Sequence, residues 1–118
     1  MSLKSRFKKF RNDYVLNQVK NVKIPDFDTS VVKRYEYIFS GRVQKVGFRL
    51  ELSELSKRLG LVGYCKNLED GSVYAHIQGE KNKIEFLVKF MESLKRMKIT
   101  DKSIKELDLE NDNDFLIV

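Results

Sequence analysis

Aromatic residues occupy every second position in one stretch of the chain. Tyr35, Tyr37 and Phe39 are separated by single residues. A period of two with aromatic side chains is typical of a β-strand, so we expect a strand from Arg34 to Ser40. A loop that begins and ends with glycine, residues 41–47, follows this strand.

A helix and then a hairpin are predicted after this loop. Apolar residues recur at i, i+4, i+7 and i+11 in a helical repeat: Phe48, Leu52, Leu55 and Leu59. Gly60 supplies a left-handed stop to that helix, whose amino end faces the loop. Strands at 61–67 and 72–78 then flank Asp70-Gly71, which is a strong turn signal between strands.

A second helix and two closing strands complete the pattern. Asn82, with Glu85 three residues later, resembles a capping box that opens a helix ending near Arg96. One face of that helix is apolar: Ile84, Leu87, Val88, Met91 and Leu94. Residues 103–109 and 115–118 are interpreted as strands separated by a polar turn.

The order βαββαβ, with a short additional strand at the C-terminal end, predicts an α+β fold. We expect a mostly antiparallel sheet with both helices on one face. This domain spans residues 32–118, and residues 1–31 are predicted to be a separate basic N-terminal extension.

The extension carries its own helical pattern. Its large apolar residues fall at i, i+4, i+7 and i+11: Leu3, Phe7, Phe10 and Tyr14. The pattern predicts a short amphipathic helix whose basic residues face solvent: Lys4, Lys8, Lys9 and Arg11. We expect this helix to stop before Pro25 and residues 24–28 to form a linker, since proline holds the backbone extended.

Charge and cysteine content narrow the class of protein. The 118 residues carry a net charge of +6, and residues 1–30 hold seven Lys and Arg against three Asp. Such a balance suits an anionic partner, either a nucleic acid or a phosphorylated metabolite. The lone Cys65, the lack of a long apolar run and the lack of a signal-like leader predict a soluble cytoplasmic monomer with no membrane contact.

The loop at 41–47 has the features of an anion site. A loop that enters a helix leaves backbone N–H groups unpaired at the positive end of the helix dipole. Arg49 lies in the first helical turn, where a cation is disfavoured unless an anionic ligand offsets it. This placement predicts phosphate recognition.

Three segments resemble the acylphosphatase family: residues 41–49 (GRVQKVGFR), 59–67 (LGLVGYCKN) and 71–73 (GSV). The resemblance extends over about residues 34–118 and excludes the extension. It implies a ferredoxin-like fold and a hydrolase that cleaves acyl phosphates to a carboxylate and inorganic phosphate without metal or cofactor. Inorganic phosphate, as the product, should also inhibit.

The resemblance also implies roles for individual residues. Arg49 would bind the phosphate, and Asn67 would position the attacking water. The phosphate cradle would be the backbone of five residues: Gln44, Lys45, Val46, Gly47 and Phe48. A neutral amide suffices, because a carboxylate leaves without a proton donor and Asn67 needs only to accept a hydrogen bond from water.

Two positions depart from the family pattern. Lys45 stands where the cradle usually has glycine, and Tyr64 replaces a common tryptophan. If the backbone at Lys45 is left-handed, lysine costs roughly 1 to 2 kcal/mol. Alternatively, the Lys45 ammonium adds a cation beside the phosphate.

Two other functions fit the same pattern. One is a phosphate-binding module of the same fold that has lost turnover through Lys45. The other, less favoured, is a nucleic-acid-binding domain, because the predicted strand at 72–78 offers only Tyr74 for base stacking. A single histidine and a single cysteine, His76 and Cys65, predict neither a metal site nor a nucleophilic pair.

Overall fold

A computed structural model of the chain describes residues 2–118. Eight elements lie within these residues: α1 (Leu3–Asn21), β1 (Val32–Arg42), α2 (Phe48–Arg58), β2 (Val62–Asn67), β3 (Val73–Glu80), α3 (Lys81–Ser93), β4 (Lys98–Leu107) and β5 (Phe115–Ile117). From β1 onward the order is βαββαβ with a short final strand, so the predicted fold class is confirmed.

The sheet contains five strands in the order β4-β1-β3-β2-β5. Strand β1 pairs antiparallel with β3 and β4, and β2 pairs antiparallel with β3. Only β5 is parallel to its neighbour, β2. The sheet is therefore mostly antiparallel, with β5 extending the edge beyond β2.

One face of the sheet packs against α2 and α3. Tyr37 lies opposite Ala75, and Ala75 lies opposite Cys65 in the next strand, so these three side chains share a face. All three are buried with the apolar faces of the two helices, which contribute Leu52, Leu55, Ile84, Leu87 and Met91. Each of these five helical side chains stabilises the fold by roughly 1.5 to 3 kcal/mol when it is transferred from water to the core.

The opposite face of the sheet is polar and is crossed by the segment that joins β4 to β5. These strands lie at opposite edges, so residues 108–114 must pass across the sheet and do more than form the predicted polar turn. Gln78 accepts from the Glu110 N–H at 2.9 Å and donates to the Glu110 carbonyl at 2.8 Å. Arg34, which is 1% exposed, donates to Asp112 at 2.6 Å.

Three predicted boundaries around α3 are wrong. The helix begins at Lys81, and Asn82 lies inside the first turn, where its Nδ2 donates to the Asp28 carbonyl at 2.8 Å. The predicted capping box is therefore not formed. The helix ends at Ser93, and β4 begins at Lys98, five residues before the predicted strand. Strand β4 is a mostly exposed edge strand, so its side chains show no alternation that the sequence could reveal.

The extension forms a longer helix than predicted, and it docks with a different face. Helix α1 covers 19 residues and buries Val15 and Val19. The predicted apolar face is largely exposed, at 59% to 70%: Leu3, Phe7, Phe10 and Tyr14. Only the C-terminal half of α1 reaches the core, so the apolar residues of its first turns have no core surface to cover.

The connection from α1 to β1 also packs against the main domain. Arg58 in α2 donates to the carbonyls of Val19 and Val22 at 2.6 and 2.8 Å, which holds the end of α1. The Phe27 and Phe86 rings meet edge to face at 5.6 Å. The predicted linker is thus a packed segment. None of the helices within residues 2–118 has the length and apolarity needed to cross a lipid bilayer.

Candidate active site

The loop between β1 and α2 has left-handed backbone at two alternate positions. Lys45 has a φ of 63° and Gly47 a φ of 80°, and Lys45 is the one non-glycine residue of 2–118 with positive φ. Left-handed residues at alternate positions turn successive N–H groups towards one point and create an anion-binding concavity. Within the described chain, the backbone N–H groups of residues 44–47 donate to no backbone or side-chain acceptor.

Gly47 is required at the start of α2 by both conformation and space. It is the N-cap and is left-handed. A methyl group added there would lie 2.9 Å from Cγ2 of Val15 in α1. Because real side chains do not approach so closely, only glycine allows α1 to pack against the loop.

The side chain of Gln44 ties the loop to the hairpin between β2 and β3. Its Nε2 donates to the carbonyls of Leu68 and Ser72 at 2.8 and 2.9 Å. These two bonds use the donors of the amide group, so Gln44 can offer an anion only its backbone N–H. They also hold the loop beside the end of β2, where Asn67 is found.

Arg49 and Asn67 line one cleft of about 710 Å³. Arg49 is half-buried in the first turn of α2, and Asn67 is exposed at the last position of β2. The cleft is also lined by four of the five predicted cradle residues: Gln44, Lys45, Gly47 and Phe48. The fold therefore brings together residues that are 18 positions apart in the sequence.

The fifth predicted cradle residue, Val46, has its carbonyl turned to a partner that the sequence did not reveal. Arg96 donates from Nε to the Val46 carbonyl at 2.8 Å. In a trans peptide the N–H points opposite to the carbonyl. The Gly47 N–H is therefore directed away from Arg96.

Arg96 is itself held by two other elements. It donates to Oε1 of Glu51 in α2 at 2.7 Å and to Oε1 of Gln18 in α1 at 3.0 Å. Glu51 is fully buried. Burial raises the pKa of the Glu51 carboxyl, and the ion pair with Arg96 opposes that shift. No motif signalled this group, because its members come from three separate regions of the sequence.

Helix α1 forms one wall of the cleft. Five of its residues line it: Lys4, Phe7, Lys8, Arg11 and Asn12. The sequence predicted the basic members of this set to face open solvent. Docking of the helix through Val15 and Val19 places them along the cleft, where Lys4 and Lys8 remain exposed and Arg11 is half-buried.

Neither Cys65 nor His76 lines the cleft, although the Cys65 thiol lies 3.9 Å from the backbone carbonyl of Arg49. Cys65 is buried in β2, and burial raises the pKa of its thiol to about 12. His76 is on the polar face of the sheet, where its ring contacts Arg34 and Tyr74. Across residues 2–118, no three His, Cys, Asp or Glu side chains are grouped so that they could hold a metal ion.

Comparison with known proteins decides the family. The family model for Acylphosphatase matches residues 35–117, which is most of the chain. This chain belongs to the acylphosphatase family. All seven predicted site residues of this acylphosphatase lie within the match, whereas α1 lies outside it.

Relatives of known family are similar over the same part of the chain. An acylphosphatase of Picrophilus torridus is 43% identical over 58 residues, which cover 49% of this chain and 72% of the relative. An acylphosphatase of Thermotoga petrophila is 37% identical over 78 residues, covering 65% and 87%. The crystal structure of Bacillus subtilis acylphosphatase superposes with a TM-score of 0.69 at 33% identity, covering 75% of this chain and 99% of that one.

Proposed function

We propose that this acylphosphatase hydrolyses acyl phosphates to a carboxylate and inorganic phosphate. The observation that carries the proposal is the convergence of three features on one cleft: loop N–H groups without an acceptor, Arg49 and Asn67. The backbone of residues 44–48 and the guanidinium of Arg49 bind the phosphoryl oxygens. The helix dipole of α2 adds partial positive charge at the same point.

Asn67 positions the attacking water. Its side-chain oxygen accepts a hydrogen bond from the water, whose oxygen attacks phosphorus in line with the acyl oxygen. The bond between phosphorus and the acyl oxygen breaks, and the carboxylate leaves with the electron pair. One proton of the water remains on the product phosphate and the other passes to solvent. The loop N–H groups and Arg49 stabilise the charge that spreads over the phosphoryl oxygens in the transition state.

The role of Arg49 follows from its position. A cation in the first turn of a helix is repelled by the dipole, and this cost is offset when an anion lies between the two. A planar guanidinium can also donate to two phosphate oxygens at once. Arg49 is half-buried beside the loop and makes no side-chain hydrogen bond within residues 2–118, so its donors remain available for substrate.

The proposal is tested by substituting the two residues separately and measuring hydrolysis of benzoyl phosphate. Arg49→Ala should raise KM and the inhibition constant of phosphate, because Arg49 meets charge already present in the ground state. Asn67→Ala should mainly lower kcat, with a loss of roughly 10² to 10³. Arg42→Ala and Asn113→Ala are matched controls, since neither residue lines the cleft. Parent-like kinetics in both site variants would refute the assignment.

The chemistry has two further signatures. Activity should persist in the presence of a chelator, and inorganic phosphate should inhibit competitively. Hydrolysis in ¹⁸O-labelled water should place the label in phosphate, because water attacks phosphorus. A chain that binds phosphate without hydrolysing any acyl phosphate would instead be a phosphate-binding module.

We further infer that the enzyme acts as a cytoplasmic monomer on small acyl phosphates. Its one cysteine, Cys65, is a buried free thiol, as is common in proteins of reducing compartments. Sedimentation of the purified protein checks the oligomeric state.

A further inference from the structure

The wall that α1 contributes to the cleft carries a row of positive charges. Lys4, Lys8 and Arg11 are spaced at i, i+4 and i+7, so they lie on one face of the helix, and all three line the cleft. With a rise of about 1.5 Å per residue, the row extends over about 10 Å. It is separate from the phosphate cradle, which is built by the backbone of residues 44–48.

The row begins beside the cradle. The Cδ and Nε atoms of Arg11 both lie 3.6 Å from the position that a methyl group on Gly47 would occupy. Lys8 and Lys4 follow at successive turns of α1, further from Gly47. An extended molecule whose phosphoryl group occupies the cradle can therefore run along the row.

No acidic side chain compensates these cations. Within the described residues, Lys4, Lys8 and Arg11 take part in none of the ion pairs, although eight other pairs form at 4.0 Å or less. The Nε of Arg11 is sealed from solvent and has no hydrogen-bond acceptor. A cleft wall that carries several cations and no compensating acid raises the local concentration of anions, so it favours an anionic ligand.

The row is held in place by the docked half of α1. Val15 is 0% exposed and Val19 is 3% exposed. Arg96 donates to Gln18 and lies over the ring of Tyr14, with 5.6 Å between its guanidinium carbon and the ring centroid. Because the same Arg96 bonds the Val46 carbonyl, one side chain links α1 to the cradle loop.

We propose that this row is a second anion subsite, and that the enzyme prefers acyl phosphates whose acyl group carries its own carboxylate or phosphate. The inference rests on the proposed function, since it places the phosphoryl group in the cradle. The second anion then meets Lys8 and Lys4, with Arg11 between it and the phosphoryl group. Nothing in the family match supplies this subsite, because α1 lies outside residues 35–117.

Binding tests the subsite without turnover. Titration calorimetry compares 5-phosphonopentanoate with pentylphosphonate, which has the same phosphonate and carbon chain but no carboxylate. We expect the parent to bind the carboxylated ligand at least tenfold more tightly, as for a charge-assisted hydrogen bond. In the double variant Lys4→Gln/Lys8→Gln this ratio should fall about tenfold. Raised salt should lower the ratio in the parent, because the lysines are exposed.

Turnover is measured with a second matched pair, succinyl phosphate and butanoyl phosphate. The parent should favour the carboxylated substrate through a lower KM, and the Lys4→Gln/Lys8→Gln variant should lose most of that preference. The control Lys9→Gln/Lys20→Gln removes the same charge from α1 at positions that do not line the cleft. It should keep the parent's ratio in both measurements.

The outcomes separate the two proposals. Equal binding of the two phosphonates, or the same ratio in the parent and the Lys4→Gln/Lys8→Gln variant, overturns the subsite and leaves the hydrolase proposal standing. A loss of ratio in the Lys9→Gln/Lys20→Gln control overturns it as well, because net charge alone would then explain the preference. Failure to hydrolyse either substrate overturns the proposed function, whereas a carboxylate preference in binding that depends on Lys4 and Lys8 would still support the subsite.

Discussion

Lys45 has a backbone conformation that is unfavourable for a residue with a side chain. Its φ of 63° places it in the left-handed region that favours glycine, while its side chain is exposed. The conformation is needed because the loop N–H groups turn towards one point only if this backbone is left-handed. Lysine there costs roughly 1 to 2 kcal/mol. The sequence predicted this cost only if the backbone at Lys45 is left-handed, and the structure shows that it is.

Lys45→Gly should therefore stabilise the protein. We expect the free energy of unfolding to rise by about 1 kcal/mol, since part of the relieved strain is offset by the greater freedom of glycine in the unfolded chain. Thermal unfolding and phosphate titration at low salt measure stability and affinity side by side. We expect phosphate affinity to be equal or higher, because the cradle no longer stores strain.

Lys66→Gly is the control for that substitution. Lys66 is also exposed, but it lies in β2 with ordinary strand backbone, so glycine should destabilise there. Weaker phosphate binding by Lys45→Gly without a gain in stability would contradict the strain interpretation. It would show that the Lys45 ammonium binds the phosphoryl group.

The polar face of the sheet contains a chain of hydrogen bonds across β1 and β3. Arg34 Nη2 lies 3.1 Å from Nδ1 of His76, and a guanidinium can only donate, so Nδ1 is the acceptor. Nε2 then carries the ring proton and donates to the Tyr74 hydroxyl at 2.6 Å. Tyr74 donates in turn to Glu36 at 2.8 Å. The network requires a neutral His76.

This requirement makes stability depend on pH. Burial, and next the charge of Arg34, lower the pKa of His76 below its ordinary value of 6.5, although Glu36 and Glu110 oppose the shift. Between the two pKa values the unfolded chain binds more protons than the folded one. The free energy of unfolding should therefore fall as pH drops below 6.5, down to the lowered folded-state pKa, and His76 should contribute no slope above 6.5.

Urea unfolding between pH 7.5 and pH 5 measures this effect, with His76→Gln as the comparison. Glutamine can still accept from Arg34 but does not titrate, so the slope attributable to His76 should disappear. An unchanged slope in His76→Gln would assign the pH dependence to the carboxylates of the protein instead.

At the scale of the whole molecule, α1 adds to stability without belonging to the βαββαβ domain. Its docked face consists of Val15 and Val19, together with the bonds that Arg58 and Arg96 make to the end of the helix. Two fully buried valines contribute roughly 3 to 6 kcal/mol as an upper limit. Domains of this size have about 5 to 15 kcal/mol in total.

We expect a chain that starts at Val22 to fold, with a lower melting temperature. A chain that starts at Thr29 should also fold and bind phosphate, but with a further loss, because the Phe27 contact with Phe86 is removed. Both shortened chains should lose the preference for carboxylated acyl phosphates. Thermal unfolding measures the loss of stability, and phosphate titration measures binding in the cradle. Hydrolysis of succinyl phosphate and butanoyl phosphate measures the substrate preference.

Two point variants in the full chain check the docking face. Val19→Ala should destabilise the protein, whereas Phe10→Ala should be nearly neutral, since Phe10 is 70% exposed. The reverse order would mean that the apolar residues of the first turns are the docking surface. Failure of the Thr29 chain to fold would show that the extension is part of the core.

The sequence by itself determined the order of elements and the members of the predicted site. Alternation in β1, the helical repeat of α2 and the Asp70-Gly71 turn are local patterns, so they can be seen without the fold. Arg49 and Asn67 were predicted from motifs, and the structure places both on one cleft. The boundaries of α3 and the start of β4 were predicted poorly. For β4 the reason is that an exposed edge strand shows no regular alternation of apolar and polar side chains.

Only the tertiary structure decided which face of α1 is buried, and which distant side chains support the cradle. A helix with large apolar residues on one side and smaller ones on another buries the side that fits the surface it meets. That surface is assembled from α2, the loop between β1 and α2, and Arg96. The same holds for Arg96, whose partners Val46 and Glu51 are some 50 and 45 positions away along the chain. Contacts between residues so far apart in the sequence depend on the whole fold, so no local sequence pattern predicts them.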